Sequence, residues 1–258
     1  MSVRTAFGIL SFFLAAACTP TADAPPAVTQ GTVAASILSG DGSLPANQWH
    51  AVLIAGDSAT PAFDNGVEEM RAKLRRRGVV DITAYSADPA SVPRDRLSSS
   101  ANVAAALRGG GSGAKACLAY MTSHGDVAGF FLRPDRRLLT PPTLDRLLAE
   151  GCGALPTVVI VSACHSGTFI DNGVRRPNRV ILTAAATNRT SFGCGADDEY
   201  TYYDWCLLHA FDEAVTWSDL AASTKACVEG LERRKGVRPS LPQLFVGSEV
   251  ANLRLPGR

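Results

Sequence analysis

Two short segments of this chain carry side chains that could do covalent chemistry together. Thr122, Ser123, His124, Gly125 and Asp126 follow an apolar run at 116–121, and Ser162, Ala163, Cys164, His165, Ser166 and Gly167 follow another at 157–161. A thiol is a weak nucleophile until it ionises, and a nearby imidazole lowers its pKa and later protonates a leaving amine. If the two runs are neighbouring strands about 4.8 Å apart, His124 and Cys164 stand at matching heights and can share a proton. Gly125 and Gly167 let backbone N–H groups approach a substrate carbonyl and hold its oxyanion. Taken singly, a cysteine reads as a core residue and a histidine as a satisfied loop residue. The pairing at two strand ends, each with glycine nearby, is what points to nucleophilic chemistry.

The elements that must position these residues alternate strand with helix. Strands are predicted at 50–55, 80–85, 116–121, 157–161, 179–183 and 243–246, and a short hairpin at 130–132 and 137–139. Helices are predicted at 64–77, from a cap at Ser98 or Ser100 to Leu107, from Pro141 or Pro142 to Ala149, at 205–215 and at 220–233. The strand runs are continuously apolar rather than alternating, as expected when both sheet faces are covered. This predicts an α/β fold: a doubly wound, mainly parallel six-stranded sheet with helices on both faces and reactive residues beyond the strands' carboxyl ends. The glycine-rich stretch 109–113 leads into a strand and lacks the Lys-Ser/Thr of a phosphate loop.

Composition bounds the partners. With 258 residues, 46% hydrophobic and 19% charged, the chain can bury a core, and 25 Lys+Arg against 24 Asp+Glu lacks the basic excess that nucleic-acid binding requires. Residues 1–17 have the charged start, short apolar run and small residues of a secretory signal peptide, too short to span a bilayer. Cys18 directly after Ala15, Ala16 and Ala17 resembles a bacterial lipobox, with Cys18 as the lipid attachment site; an ordinary signal cut before a chance cysteine is the alternative. Residues 18–47 are rich in Pro, Ala, Thr, Ser and Gly and read as a flexible tether, and 48–258 as the folded domain. The expectation is an exported, membrane-anchored lipoprotein facing the periplasm or the cell exterior. No Cys-x-x-Cys or His-x-x-x-His pair exists, so neither a metal nor another cofactor is expected.

Several stretches together resemble a known family. Tyr120 to Asp126 followed by Gly129, Phe130, Phe131 and Leu132, then Ile160 to Gly167, then Thr183 to Asn188, are similar to the legumain-type cysteine peptidases of the caspase-like superfamily. The similarity extends to Tyr203, Asp204 and Trp205 and to the closing segment 242–247. It implies a caspase-like fold and a cysteine endopeptidase acting on peptides or proteins, with Cys164 as nucleophile, His124 as general acid and base, and the N–H groups of Gly125 and Cys164 as oxyanion hole. It also implies a third member near Asp64 and Asn65, with Asn65 able to orient the imidazole; a helix cap there is the alternative. In the substrate pocket, Ser162 stands where animal and plant legumains carry an acid, and 59–65 offers no Arg or Lys, so asparagine specificity is not expected. Asp204 is retained and points instead to a basic side chain before the cleaved bond, and Trp205 to a groove wall. Transfer of the acyl group to an amine as well as to water is open to such a thioester.

Two other readings compete. Gly56, Asp57 and Ser58 look like the opening block of GDS-type esterases, with Ser58 as nucleophile, but the only late histidine, His209, has Cys206 where the acid is required. A lipid-anchored binding module that keeps the fold without turnover is the non-enzyme alternative. Among the remaining cysteines, Cys117 with Cys152 is one expected disulfide, and Cys194 with Cys206 is equally conceivable.

Overall fold

Four strands, β1 (Trp49–Ala55), β3 (Ala116–Thr122), β7 (Thr157–Ser162) and β8 (Arg179–Thr183), are buried at every position. Together with β2 (Asp81–Tyr85) and β9 (Gln243–Val246) they form one six-stranded sheet in the order β2-β1-β3-β7-β8-β9. All neighbours pair parallel except β8 with β9, which is antiparallel. The computed structural model describes residues 1–2, 38, 40–111 and 113–258.

Each buried strand feeds two cores. Leu53, Leu118, Ile160 and Leu182 face one side, packed against helix α1 (Pro61–Arg76) through Val67, Met70 and Leu74 and against helices α5 (Tyr202–Phe211) and α6 (Trp217–Lys235). Ile54, Met121, Val161 and Ile181 face the other, packed against α2 (Ser100–Gly109), α3 (Pro141–Gly151) and the short α4 (Thr168–Asp171). Burial on both faces explains the apolar runs through the middle of these strands, the buried polar residues Thr122, Thr157, Ser162, Arg179 and Thr183 lying at strand ends. A small antiparallel sheet, β4 (Gly125–Asp126), β5 (Gly129–Leu132) and β6 (Arg137–Leu139), hangs from the carboxyl end of β3.

Several expectations are corrected. Helix α1 begins at Pro61 rather than 64, with the Thr60 hydroxyl accepting from the Ala62 N–H, and α2 is capped by Ser99 rather than Ser98 or Ser100. Order starts before residue 48: Leu44 is buried in the first core, Ala46–Gln48 form a 3-10 turn, and Arg254 donates to the Asp41 carbonyl. The Cys117–Cys152 disulfide is present, but the second bridge joins Cys206 to Cys227 and leaves Cys194 free. The reason is packing: Cys206 and Cys227 face each other between α5 and α6, where no reading of linear spacing would place them. Residues 1–17 and Cys18 lie almost entirely outside the described residues. No helix among the described residues is long and apolar enough to cross a membrane.

Candidate active site

The register of β3 on β7 sets the site. Thr122 lies opposite Ser162, and the pairing continues one step further through the Ser123 N–H donating to the Ser162 carbonyl at 3.1 Å. His124 and Cys164 therefore each leave the sheet two residues beyond a matched pair. The two overhanging segments run against each other, because a Cβ on Gly125 would sit 2.3 Å from the Cys164 carbonyl oxygen and 2.9 Å from the Ala163 Cβ. Only glycine allows that approach. The hairpin fixes the histidine backbone from the other side, with the Phe131 N–H donating to the His124 carbonyl at 3.0 Å and the Ser123 hydroxyl to the Phe131 carbonyl at 2.9 Å.

The Cys164 thiol is half-buried and meets the loop after β8. The Ser191 N–H donates to Sγ at 3.3 Å, and the Ser191 carbonyl lies 3.6 Å from Sγ. His165 turns away from the site: its φ of 58° is left-handed, its N–H donates to the Arg189 carbonyl and its Nδ1 to the Thr187 carbonyl, each at 2.8 Å. The site thus presents one histidine, not two.

The His124 side chain is 44% exposed, with Nε2 at 4.0 Å from Asp57 Oδ2 and its ring edge-on to Phe63 at 5.2 Å between centroids. Asp57 is 2% exposed and is paired with Arg133, whose Nη1 reaches both carboxylate oxygens at 3.0 and 3.2 Å; the Ala59 N–H donates to the same group at 2.7 Å. The acid facing the imidazole is thus Asp57, on the tip of β1. The expected third member has its amide engaged by another group: Asn65 Nδ2 donates to the Glu199 carbonyl at 2.9 Å. Asp57 was within reach of sequence reading only as the middle of the Gly56-Asp57-Ser58 block at the carboxyl end of β1; Arg133, Phe63 and Ser191 carried no signal at all.

The expected substrate contacts separate into a buried group and an outward one. Asp204 is 0% exposed and accepts from Tyr120 Oη at 2.7 Å, Thr122 Oγ1 at 2.6 Å and Thr201 Oγ1 at 2.9 Å. Burial pushes its carboxyl pKa up, against the opposing hydroxyl bonds, and burial beside Asp204 also pushes the Tyr120 and Tyr203 phenols well up. Ser162, also buried, shares the cluster through Thr201 Oγ1 at 3.3 Å. With every carboxylate face occupied by hydroxyls, Asp204 has no open side for a basic substrate group. Trp205 is exposed but stacks on His209 at 4.1 Å and lines a groove of about 280 Å³ with Glu69, Lys73, Tyr200 and Asp212. His209 Nδ1 is bonded to the Trp205 carbonyl one turn earlier on α5, at 2.7 Å.

Residues 114–232 match the Peptidase C13 family. The fold is similar to that of caspase-1 from Spodoptera frugiperda, at 12% identity and a TM-score of 0.56 over 77% of this chain and 86% of that chain. No curated protein matches the chain. The Peptidase C13 match spans both His124 and Cys164, and the likeness to caspase-1 shows a caspase-like fold.

Proposed function

We propose that this protein is an exported cysteine endopeptidase that cleaves peptide bonds through Cys164 and His124 and a thioacyl intermediate. The observation that carries this reading is the Thr122–Ser162 register, from which the two residues extend equally far on adjoining strands. The Cys164 sulfur, deprotonated by His124, attacks the scissile carbonyl carbon, and the N–H groups of Gly125 and Cys164 hold the oxyanion. Protonated His124 then gives its proton to the amine nitrogen as the C–N bond breaks, leaving a thioester on Cys164. Neutral His124 takes a proton from water, whose oxygen displaces the sulfur and frees the acid. An amine in place of water gives transpeptidation by the same step.

Asp57 serves as a positioning residue: its buried carboxyl group, 4.0 Å from Nε2, orients the ring and leaves the other ring nitrogen for the thiol. Asp204 and Ser162 act beneath the site, tying the start of α5 to the ends of β3 and β7. The N-terminal composition supports removal of 1–17 and lipid attachment at Cys18. Cleavage of a mixed peptide library by the purified chain tests the activity. Cys164→Ala and His124→Ala should each lower turnover by about a thousandfold or more while the circular dichroism spectrum is retained. Unchanged turnover in Cys164→Ala would refute the mechanism, and an inert wild type would favour the binding module. Fractionation of cells expressing Cys18→Ala tests the anchor, which predicts loss from the membrane fraction.

A further inference from the structure

Among the described cysteines two pairs are bridged, Cys117–Cys152 and Cys206–Cys227, and two thiols are free, Cys164 and Cys194, both half-buried. These two are linked through one loop. The backbone segment resting on the Cys164 sulfur, at Ser191, carries Cys194 only three residues later. Three residues of extended chain reach at most about 11 Å. A disulfide needs Cα atoms about 4.4–6.8 Å apart, which sets the gap that a rearrangement inside this loop has to close.

The loop has the means to rearrange. Cys194 lies between Gly193, whose φ of 88° is in the left-handed region, and Gly195. The flanks are pinned, with the Tyr202 N–H on the Phe192 carbonyl at 2.9 Å and the Gly195 N–H on the Asp198 carboxylate at 2.7 Å.

We propose that Cys194 is the resolving thiol of Cys164, so that a small disulfide oxidant converts the pair to a reversible Cys164–Cys194 bridge that switches the nucleophile off. This rests on the reading of Cys164 as nucleophile. The Cys164 thiolate attacks one sulfur of the oxidant, forming a mixed disulfide and releasing one thiol. Cys194 loses its proton and attacks the Cys164 sulfur, and the second thiol of the oxidant leaves. Two cysteine thiols and one disulfide thus become one protein disulfide and two thiols, the protein losing two electrons and the oxidant gaining them. The order of attack follows from the local electrostatics, since burial and then the neighbouring Cys164 push the Cys194 pKa up and keep it protonated while Cys164 reacts. For a chain working in an oxidising compartment, the bridge would make activity depend on the local thiol–disulfide balance.

The test equilibrates the purified exported chain in buffers of reduced and oxidised glutathione, quenches with acid, alkylates, and maps the digested peptides by mass spectrometry alongside a peptidase assay. The expected result is a linked pair of peptides containing Cys164 and Cys194. It should rise with oxidised glutathione, accompany at least a roughly tenfold loss of turnover and vanish with dithiothreitol. In Cys194→Ser and Cys194→Ala the reaction should stop at a glutathione adduct on Cys164, with reduced-state turnover kept. A Cys194 alkylated throughout, while Cys164 is oxidised or unreactive, overturns the proposal and leaves the peptidase reading standing if reduced enzyme turns over. A linked pair in a chain with no turnover under reducing conditions would retain the bridge and refute the peptidase.

Discussion

Asp57 and Asp204 are both buried at the carboxyl edge of the sheet, and their surroundings differ in kind. Asp57 is matched by the Arg133 guanidinium and faces a half-exposed imidazole, whereas Asp204 is met only by the hydroxyls of Tyr120, Thr122 and Thr201. A full opposite charge offsets the cost of desolvating a carboxylate, and hydroxyls offset it only in part. Asp57 is thus set between Arg133 and His124, while burial dominates at Asp204 and raises its pKa. The first acid can act on a reaction through charge; the second acts as a knot between α5 and the strand ends.

The comparison breaks first on stability. Asp204→Ala should cost about 2–4 kcal/mol in denaturant unfolding, because it strips the acceptor from several buried hydroxyls. The sign of its pH dependence is fixed by the raised pKa. The folded chain binds this proton more tightly than the unfolded one, so the contribution is full below the ordinary carboxylate range and is lost as pH rises through the folded value. Unfolding curves measured from pH 4 to 8 should show this decline in wild type and its absence in Asp204→Asn; the same slope in both would assign the charge elsewhere. Asp57→Asn should lower kcat about ten- to a hundredfold and shift the pH profile, with little change in melting temperature since Arg133 is half-exposed. An Asp57 variant that melts early and keeps its pH profile would reduce Asp57 to a structural role. Smallest of all, Asn65→Ala should change turnover by less than about twofold, its amide being engaged by the Glu199 carbonyl rather than by His124.

The sheet, and the places of His124 and Cys164 two residues beyond a matched pair, were legible because strand period, strand length and glycine placement all act locally. What the linear pattern could not carry was rotation about helix axes. With the start of α1 set at 64, Asn65 stood at the helix entrance, where the resemblance implied a partner for His124; the Thr60 cap and Pro61 start put it further into the helix, turned toward Glu199. Asp204 was expected as a pocket acid and Trp205 as a groove wall; as consecutive residues of α5 they are about 100° apart, so one is buried and the other faces outward. The Cys206–Cys227 bridge likewise depends on which faces of α5 and α6 meet. Asp57 was visible only as part of a motif belonging to a different chemistry.

The account depends on His124 ionising Cys164. The most direct measurement is the rate of Cys164 alkylation by iodoacetamide between pH 5 and 8, read by mass spectrometry in wild type and His124→Ala. The prediction is fast labelling of wild type at mildly acidic pH and a rate in His124→Ala that rises only toward the pH range of an ordinary thiol. Superimposable profiles in the two proteins would contradict the dyad.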